Sequence, residues 1–357
     1  MRIGIYAPNM ATPAPSGVER YTAELLRALA ERPPAHEVAL ITDAPDLPVP
    51  AGGRRIPVKS MGRGARLWFD HCHLARVSRE EKLDLLHCAK SFVPAGLDCP
   101  SVATVYDVIF LKRRDLYPFW WRAYWSRALR ASVARATAVV AISEATARDV
   151  ESLLPESRGT VRAVLGGVNA ASFAAGGTGT GRGPYFLCVG NLTRRKNVPV
   201  LLDAFASIRE ATGAGLVLAG AAEYGGGEVL GRVHEPGVRY VGRVGDAELA
   251  ELYRGALAFV YPSSDEGFGL PVLEAMACGI PVVTTTGGAL PEAAGDAGIL
   301  VSPGSVAELA DAMKRVATDP ALRADLAARG VRRAAERPWR RTAEETVRVY
   351  EQAAARR

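Results

Sequence analysis

Tyr261-Pro-Ser-Ser-Asp-Glu-Gly-Phe-Gly-Leu-Pro-Val-Leu-Glu-Ala-Met-Ala-Cys-Gly-Ile-Pro-Val-Val-Thr-Thr-Thr286 is the stretch on which the reading of the chain turns. The apolar run Ala258–Tyr261 predicts a buried strand, and Gly267 and Gly269 free the backbone of the loop behind it. Pro271 suits the first position of a helix, and Gly279 suits its left-handed end. A further strand, Pro281–Thr285, completes one repeat of a parallel α/β layer. The helix start then presents the amides of Phe268, Gly269 and Leu270 at a strand's carboxyl end, an arrangement that binds anions. Glu266 falls in the loop and Glu274 in the first turn of the helix, eight positions on. One carboxylate can take a sugar hydroxyl while the other grips a vicinal diol such as a ribose. A plainer reading makes Glu274 a complement to the helix dipole and Glu266 a solvated loop acid. It accounts for each acid singly; the two glycines, Pro271 and Gly279 together favour a nucleotide-sugar site.

Working outward, the same alternation extends in both directions. Arg2–Ala7, Val38–Thr42, Leu83–His87, Ser101–Val105 and Ala138–Ser143 read as buried strands, with Val18–Ala30 the first helix. Ala170–Gly183, rich in Gly, Ala and Thr, reads as a linker. Its glycines Gly177, Gly179, Gly181 and Gly183 precede a strand instead of joining strand to helix, the wrong context for cradling phosphate. A second series follows: Tyr185–Val189, Leu216–Ala219, Arg239–Val241, Ala258–Tyr261 and Pro281–Thr285, then helices Ser305–Thr318 and Pro320–Glu336. Pro338 and Trp339 break the pattern before a last amphipathic helix, Arg341–Ala354. The expected fold class is α/β, with domains at 1–170 and 184–337, a linker at 171–183 and a terminal helix in 338–357.

Composition bounds the function. The 357 residues suffice for about two domains, and no apolar run approaches the roughly 18 residues of a membrane span. Five cysteines without CxxC spacing argue against a disulfide framework or a zinc knuckle. Asp43 and Asp46 stand three apart, so there is no Asp-x-Asp pair, and no metal is expected. The opening Met1–Met10 reads as a strand and not a signal sequence, which makes a cytoplasmic protein the expectation. Net charge is +6, and residues 1–170 hold all of the excess, 23 Lys+Arg against 17 Asp+Glu. Arg54, Arg55, Lys59, Arg63 and Arg66 run without an acid between Asp46 and Asp70. They read either as a solvated loop or as a surface for something anionic, an acceptor or the inner face of a membrane. No nucleic-acid motif accompanies them.

Lysine is scarce, with six residues in a chain rich in arginine, and Lys196 stands in Arg194-Arg195-Lys196. The run follows the strand Tyr185–Val189 through Gly190 and Asn191. Cations at a helix start oppose its dipole unless an anion binds there. Arg195 and Lys196 are therefore candidates for clamping a diphosphate, with Arg194 the weaker one.

The segment around Glu266 resembles the Glu-x7-Glu motif of the retaining GT-B glycosyltransferases of family 4. Gly190-Asn-Leu-Thr-Arg-Arg-Lys-Asn197 resembles the motif at the first strand of that family's donor domain. Gly17-Val-Glu-Arg-Tyr21 resembles the glycine turn of its acceptor domain. Ala141-Ile-Ser-Glu144, Gly166-Gly-Val-Asn169 and Pro338-Trp339 resemble its landmarks near the domain crossing and tail. The resemblance implies two Rossmann-like domains facing a cleft, closure about the linker, and a terminal helix returning to the first domain. It also implies transfer of a hexosyl group from a nucleotide sugar to an acceptor hydroxyl, with retention and without a metal or other cofactor. On that pattern Glu266, Arg195, Lys196, Tyr106 and Asp107 are the catalytic candidates. Gly17, Gly190, Asn191, Phe268, Gly269, Leu270 and Glu274 are the donor-binding ones. The form of the motifs resembles bacterial mannosyltransferases and favours GDP-mannose over a UDP-hexose. An epimerase or hydrolase of the same fold, or a silent binding subunit, is the alternative. The acceptor, whether glycan, lipid or small molecule, is not legible.

One departure stands out. Many members carry His-Asp where this chain reads Tyr106-Asp107, and a tyrosine hydroxyl can donate a hydrogen bond but is no cation at neutral pH. His87 is a candidate replacement, although a satisfied core histidine is the plainer reading; His71 and His73 read as helix-surface residues. In Tyr117–Arg135, Trp121, Trp125 and Leu129 would line one helix face and Arg122, Arg127 and Arg130 the other. That is core packing with an exposed arginine face or, alternatively, a helix lying on a membrane surface.

Overall fold

A computed structural model describes residues 1–12, 15–31, 36–59, 69–90, 92–176, 183–221 and 227–356, without the side chains of residues 71, 72 and 228. Contacts divide the chain into two units, Met1–Gly166 with Trp339–Arg357, and Gly167–Pro338. The sequence places a boundary at 170 with a linker behind it. Residues Gly167–Gly176 instead belong to the second unit, where Phe173 is buried with its ring edge on Tyr253. Gly177, Gly179 and Gly181 lie outside the described residues.

The first unit holds β1 (Arg2–Ala7), β2 (Glu37–Thr42), β3 (Arg54–Pro57), β4 (Leu85–Cys88), β5 (Ser101–Val105), β6 (Ala138–Ala141) and β7 (Val161–Ala163). They form one parallel sheet in the order β3-β2-β1-β4-β5-β6-β7. Its central strands are apolar on both sides because helices cover both faces. The helix Gly17–Ala30 starts on a capping box, with Ser16 and Glu19 exchanging hydrogen bonds across the first turn. The last helix, Trp339–Ala354, begins two residues before its expected start and buries Trp339, Ala343, Thr346, Tyr350 and Ala353 on one stripe. It belongs to this unit: Thr342 donates to the Leu165 carbonyl (2.7 Å), and Trp339 meets the edge of Tyr21.

One sequence reading changes here. Arg54 and Arg55 form an edge strand, not a loop. Arg54 pairs with Glu81 and Arg55 donates to the Leu47 carbonyl, so both are engaged locally. Charge on an edge strand blocks pairing with a second chain, a sufficient reason for these two residues. Arg63 and Arg66 lie outside the described residues.

The second unit holds β8 (Tyr185–Val189), β9 (Gly215–Ala219), β10 (Val238–Gly242), β11 (Ala258–Tyr261), β12 (Val282–Thr285) and β13 (Gly298–Val301). They form a parallel sheet ordered β10-β9-β8-β11-β12-β13. Strand order reverses between β8 and β11, and the loops leaving their carboxyl ends diverge there to opposite faces of the sheet. A crevice at that point follows from topology alone. The unit's two ends meet where the Val168 amide donates to the Arg337 carbonyl (2.9 Å) and Val168 bridges Pro338. No helix among the described residues is long and apolar enough to cross a membrane.

Candidate active site

Three of the candidates, Arg195, Lys196 and Glu266, converge at the β8/β11 reversal. The loop from β8 closes in a short turn, Arg194–Lys196, ended by Asn197 in the left-handed conformation (φ 53°) before the helix Val198–Thr212. Asparagine tolerates that conformation better than most residues. The turn aims Arg195 and Lys196 at the loop from β11. Arg195 Nη1 and Lys196 Nζ stand 2.5 and 2.7 Å from the same oxygen, Glu266 Oε1.

The surroundings fix this cluster. Ser263 Oγ lies 2.5 Å from Glu266 Oε1, and Arg195 Nη1 also donates to the Asp265 carbonyl (2.8 Å). The Arg195 carbonyl in turn accepts from the Ser264 amide (2.9 Å) and its hydroxyl (3.1 Å). Lys196 donates to the Tyr261 hydroxyl and sits 4.4 Å from the centroid of that ring. On the far side, Thr285 Oγ1 donates to the Ser263 carbonyl (2.6 Å) and the Ala289 amide to the Glu266 carbonyl (2.9 Å). Gly288 (φ 58°) makes this second contact feasible. A Cβ there would lie 2.7 Å from the Glu266 nitrogen and strike Asp265 Oδ1 and the Glu266 carbonyl. Tyr261, Ser263, Thr285 and Gly288 did not emerge from sequence reasoning. Glycine pairs such as Gly287-Gly288 after a strand were the one available signal.

Electrostatics follow from two cations sharing one acid. Burial alone would raise the Glu266 carboxyl, but Arg195 and Lys196 more than offset it and hold it at about 2. Burial brings the Lys196 ammonium down to about 8; Glu266 opposes the fall and the Arg195 charge adds to it. The cluster carries a net positive charge in a largely dry place, so an entering anion relieves the cost of keeping Lys196 protonated.

The remaining candidates are distributed differently. Gly190 (φ 136°) lies against Lys196, where an added Cβ would sit 3.3 Å from Cε; Asn191 Oδ1 is 3.5 Å from Arg243 Nη2. Phe268 is buried, Gly269 takes φ 106°, and the helix Leu270–Ala277 starts on Leu270 with Pro271 in its first turn. Glu274 is therefore in the second turn, not the first, too far along to complement the helix N-terminus. It is buried and accepts from the Tyr253 hydroxyl (3.2 Å).

Gly17, Tyr106 and Asp107 belong to the other unit. Gly17 is an ordinary helical residue and a Cβ there would meet nothing within 4 Å, so no local turn demands glycine. Tyr106 lies 2.8 Å from Thr22 Oγ1, and Thr22 already donates its single proton to the Val18 carbonyl (2.8 Å). The Tyr106 hydroxyl is thus the donor, and its proton is engaged within the protein. Burial, with Glu19 adding, raises its pKa above the usual phenol range. Asp107 Oδ1 accepts from the Ile109 amide (3.1 Å), as an acid at a turn start does. His87 is a satisfied core residue: its ring nitrogens lie 2.7 Å from Thr104 Oγ1 and 2.7 Å from the Tyr350 hydroxyl, and burial lowers it to about 4. His73 stacks on Phe69, and no group of three metal-ligating residues occurs among the described residues.

Two family models match. Residues 15–172 match "Glycosyltransferase Family 4" and residues 183–319 match "Glycosyl transferases group 1". The chain is 38% identical over 175 residues to O-antigen chain mannosyltransferase B of Escherichia coli, a match covering 46% of this chain and less than half (45%) of that protein. It is 29% identical to the phosphatidyl-myo-inositol mannosyltransferase of Mycobacterium leprae over 98% of this chain and 96% of that one. Among solved structures, the sucrose-phosphate synthase of Thermosynechococcus elongatus matches with a TM-score of 0.82 at 22% identity, both chains covered completely. Two parallel-sheet units, each matched by its own family model and jointly by such neighbours, settle the classification: the chain belongs to the family 4 glycosyltransferases and has the GT-B fold, with mannosyltransferases among its relatives.

Proposed function

We propose that the protein transfers a hexosyl group from a nucleoside diphosphate sugar to an acceptor hydroxyl, with retention at the anomeric carbon and without a metal ion. The observation that carries this reading is the convergence of Arg195 and Lys196 on Glu266 at the β8/β11 reversal. In it the two cations hold the diphosphate and stabilise the charge that grows on it as the bond to the sugar breaks. The anomeric carbon exchanges its bond to the diphosphate oxygen for one to the acceptor oxygen, and the acceptor's proton passes to the departing diphosphate. Glu266 orients donor hydroxyls and is not a covalent nucleophile, so the paired-carboxylate scheme of glycosidases does not apply. Glu274 binds the nucleoside ribose, and the first unit takes the acceptor.

GDP-mannose is the preferred donor in this reading, supported by the mannosyl transfer named in two relatives. The test is a transfer assay with GDP-mannose and UDP-glucose against mannosides and phosphatidyl-myo-inositol, with EDTA present. The proposal expects an α-mannoside from GDP-mannose, its configuration read by NMR. Free mannose or an epimerised donor formed without acceptor would instead identify a hydrolase or epimerase; a β-product or inhibition by EDTA would overturn retention or metal independence.

A further inference from the structure

The helix Phe119–Arg135 has two unlike faces. Trp121, Trp125 and Leu129 turn inward as their spacing predicts, Trp121 stacking on Tyr117 (5.0 Å) and Trp125 meeting Phe92 (5.4 Å). The outer face is not the arginine face expected from the sequence. Phe119 is 79% exposed, Trp120 70% and Tyr124 40%, with exposed Ala123 between them and exposed Arg127 one turn on. Large exposed apolar side chains elsewhere among the described residues are Met1, Leu230, Leu300 and Val331, none adjacent to another in sequence. Three of the seven sit on two turns of one helix, so the patch is not scatter.

The charge around it selects the occupant. The helix has four arginines and no acid or amide side chain in 17 residues. Among the acids around it, Asp115 is engaged by Arg113 (2.8 Å), Asp149 by Lys112 (2.7 Å) and Glu156 by Arg130 (3.1 Å). Asp70, within electrostatic reach of Tyr124, is buried and accepts from Tyr6. A sugar would need amide or carboxylate partners beside the rings, and the helix offers none. A second copy docked face to face would set arginine against arginine.

We infer that this face lies on an anionic lipid bilayer, with Phe119 and Trp120 inserted at the headgroup level and Arg127 at the phosphates. Aromatic side chains partition to that depth, and arginines next to them gain from negative lipid. The inference concerns a partner of the first unit and does not depend on the proposed reaction. The helix contributes four of the arginines in residues 1–170, the half that holds the chain's positive excess.

The test is co-sedimentation of the full chain with vesicles of phosphatidylcholine alone or mixed with phosphatidylglycerol. The expected result is binding to the mixed vesicles only, lowered about tenfold or more in Phe119→Ser/Trp120→Ser and again in Arg127→Glu. Both positions are at the surface, so circular dichroism and nucleotide affinity should match the parent; Trp120→Glu alone serves if the double variant misfolds. Absence of binding to mixed vesicles, or undiminished binding by the variants, would overturn the inference. So would a concentration-dependent dimer in ultracentrifugation that the double variant abolishes, which would make the face a self-association surface.

Discussion

Lys196 Nζ and Glu266 Oε1, 70 residues apart in sequence, stand 2.7 Å from each other because β8 and β11 are neighbours at the point where strand order reverses. The pair is incomplete as an electrostatic unit, since Arg195 shares the same oxygen. On the proposed function, these two cations facing one acid receive the donor's diphosphate as the second anion.

Replacing Lys196 by Ala should therefore reduce turnover by about 10²–10³-fold, the usual cost of removing one preorganised donor from a developing charge. Stability should hardly change, because Glu266 keeps Arg195 and Ser263. Lys196→Arg should fail to restore the rate, as a bulkier guanidinium does not fit where a compact ammonium is packed between Gly190 and the Tyr261 ring. Steady-state kinetics with a melting curve of each variant checks both halves.

Nucleotide affinity should fall as pH rises above about 8. Lys196 is depressed to about 8 in the unliganded protein, and a bound diphosphate raises it, so binding above that pH takes up a proton. Calorimetric titration in two buffers of different ionisation enthalpy measures the uptake. It should approach zero near pH 6, where the ammonium is already formed, and be absent in Lys196→Ala at either pH.

Acid should expose the opposite linkage. Glu266 is held at about 2 against an ordinary value of 4.5, so its contribution is complete above 4.5 and is lost as pH falls toward 2. The shift corresponds to about 3 kcal/mol. Urea unfolding at pH 7 and pH 3 should show that Glu266→Gln removes part of the acid sensitivity of the parent.

Gly288→Ala should destabilise the protein by about 3 kcal/mol, combining the left-handed backbone with a methyl pressed on Asp265 and Glu266. Nucleotide binding should weaken with it, since the same loop carries Glu266. Gly17→Ala is the control: a methyl there meets nothing, and stability should be unchanged or slightly raised.

Legibility in the sequence followed burial. Arg2–Ala7, Ser101–Val105, Tyr185–Val189 and Ala258–Tyr261 were predicted to the residue because strands covered on both faces are continuous apolar runs. The strands not foreseen, Arg54–Pro57, Val161–Ala163 and Gly298–Val301, all lie at sheet edges, where one flank meets solvent and the pattern is diluted. At the site, Glu266, Arg195 and Lys196 were legible because glycines and prolines punctuate their loops. Tyr261 and Ser263 were not, since Lys196 and Glu266 reach them through the fold and nothing local marks an apolar-looking strand end as a contact. Glu274 was foreseen as a residue but placed in the first turn, whereas the helix begins at Leu270, one residue ahead of Pro271, and leaves it in the second.

The most direct measurement is a thermal-shift series with GDP, UDP, ADP and dTDP on the parent chain and on Arg195→Ala/Lys196→Ala. A diphosphate at a hundred times its dissociation constant stabilises the native state by about 2.7 kcal/mol. The account predicts that GDP raises the parent's melting temperature most, and that the double variant, which melts lower without ligand because Glu266 has lost both cations, shows no shift with any of the four. A full GDP shift retained by the double variant would contradict it and place the diphosphate elsewhere.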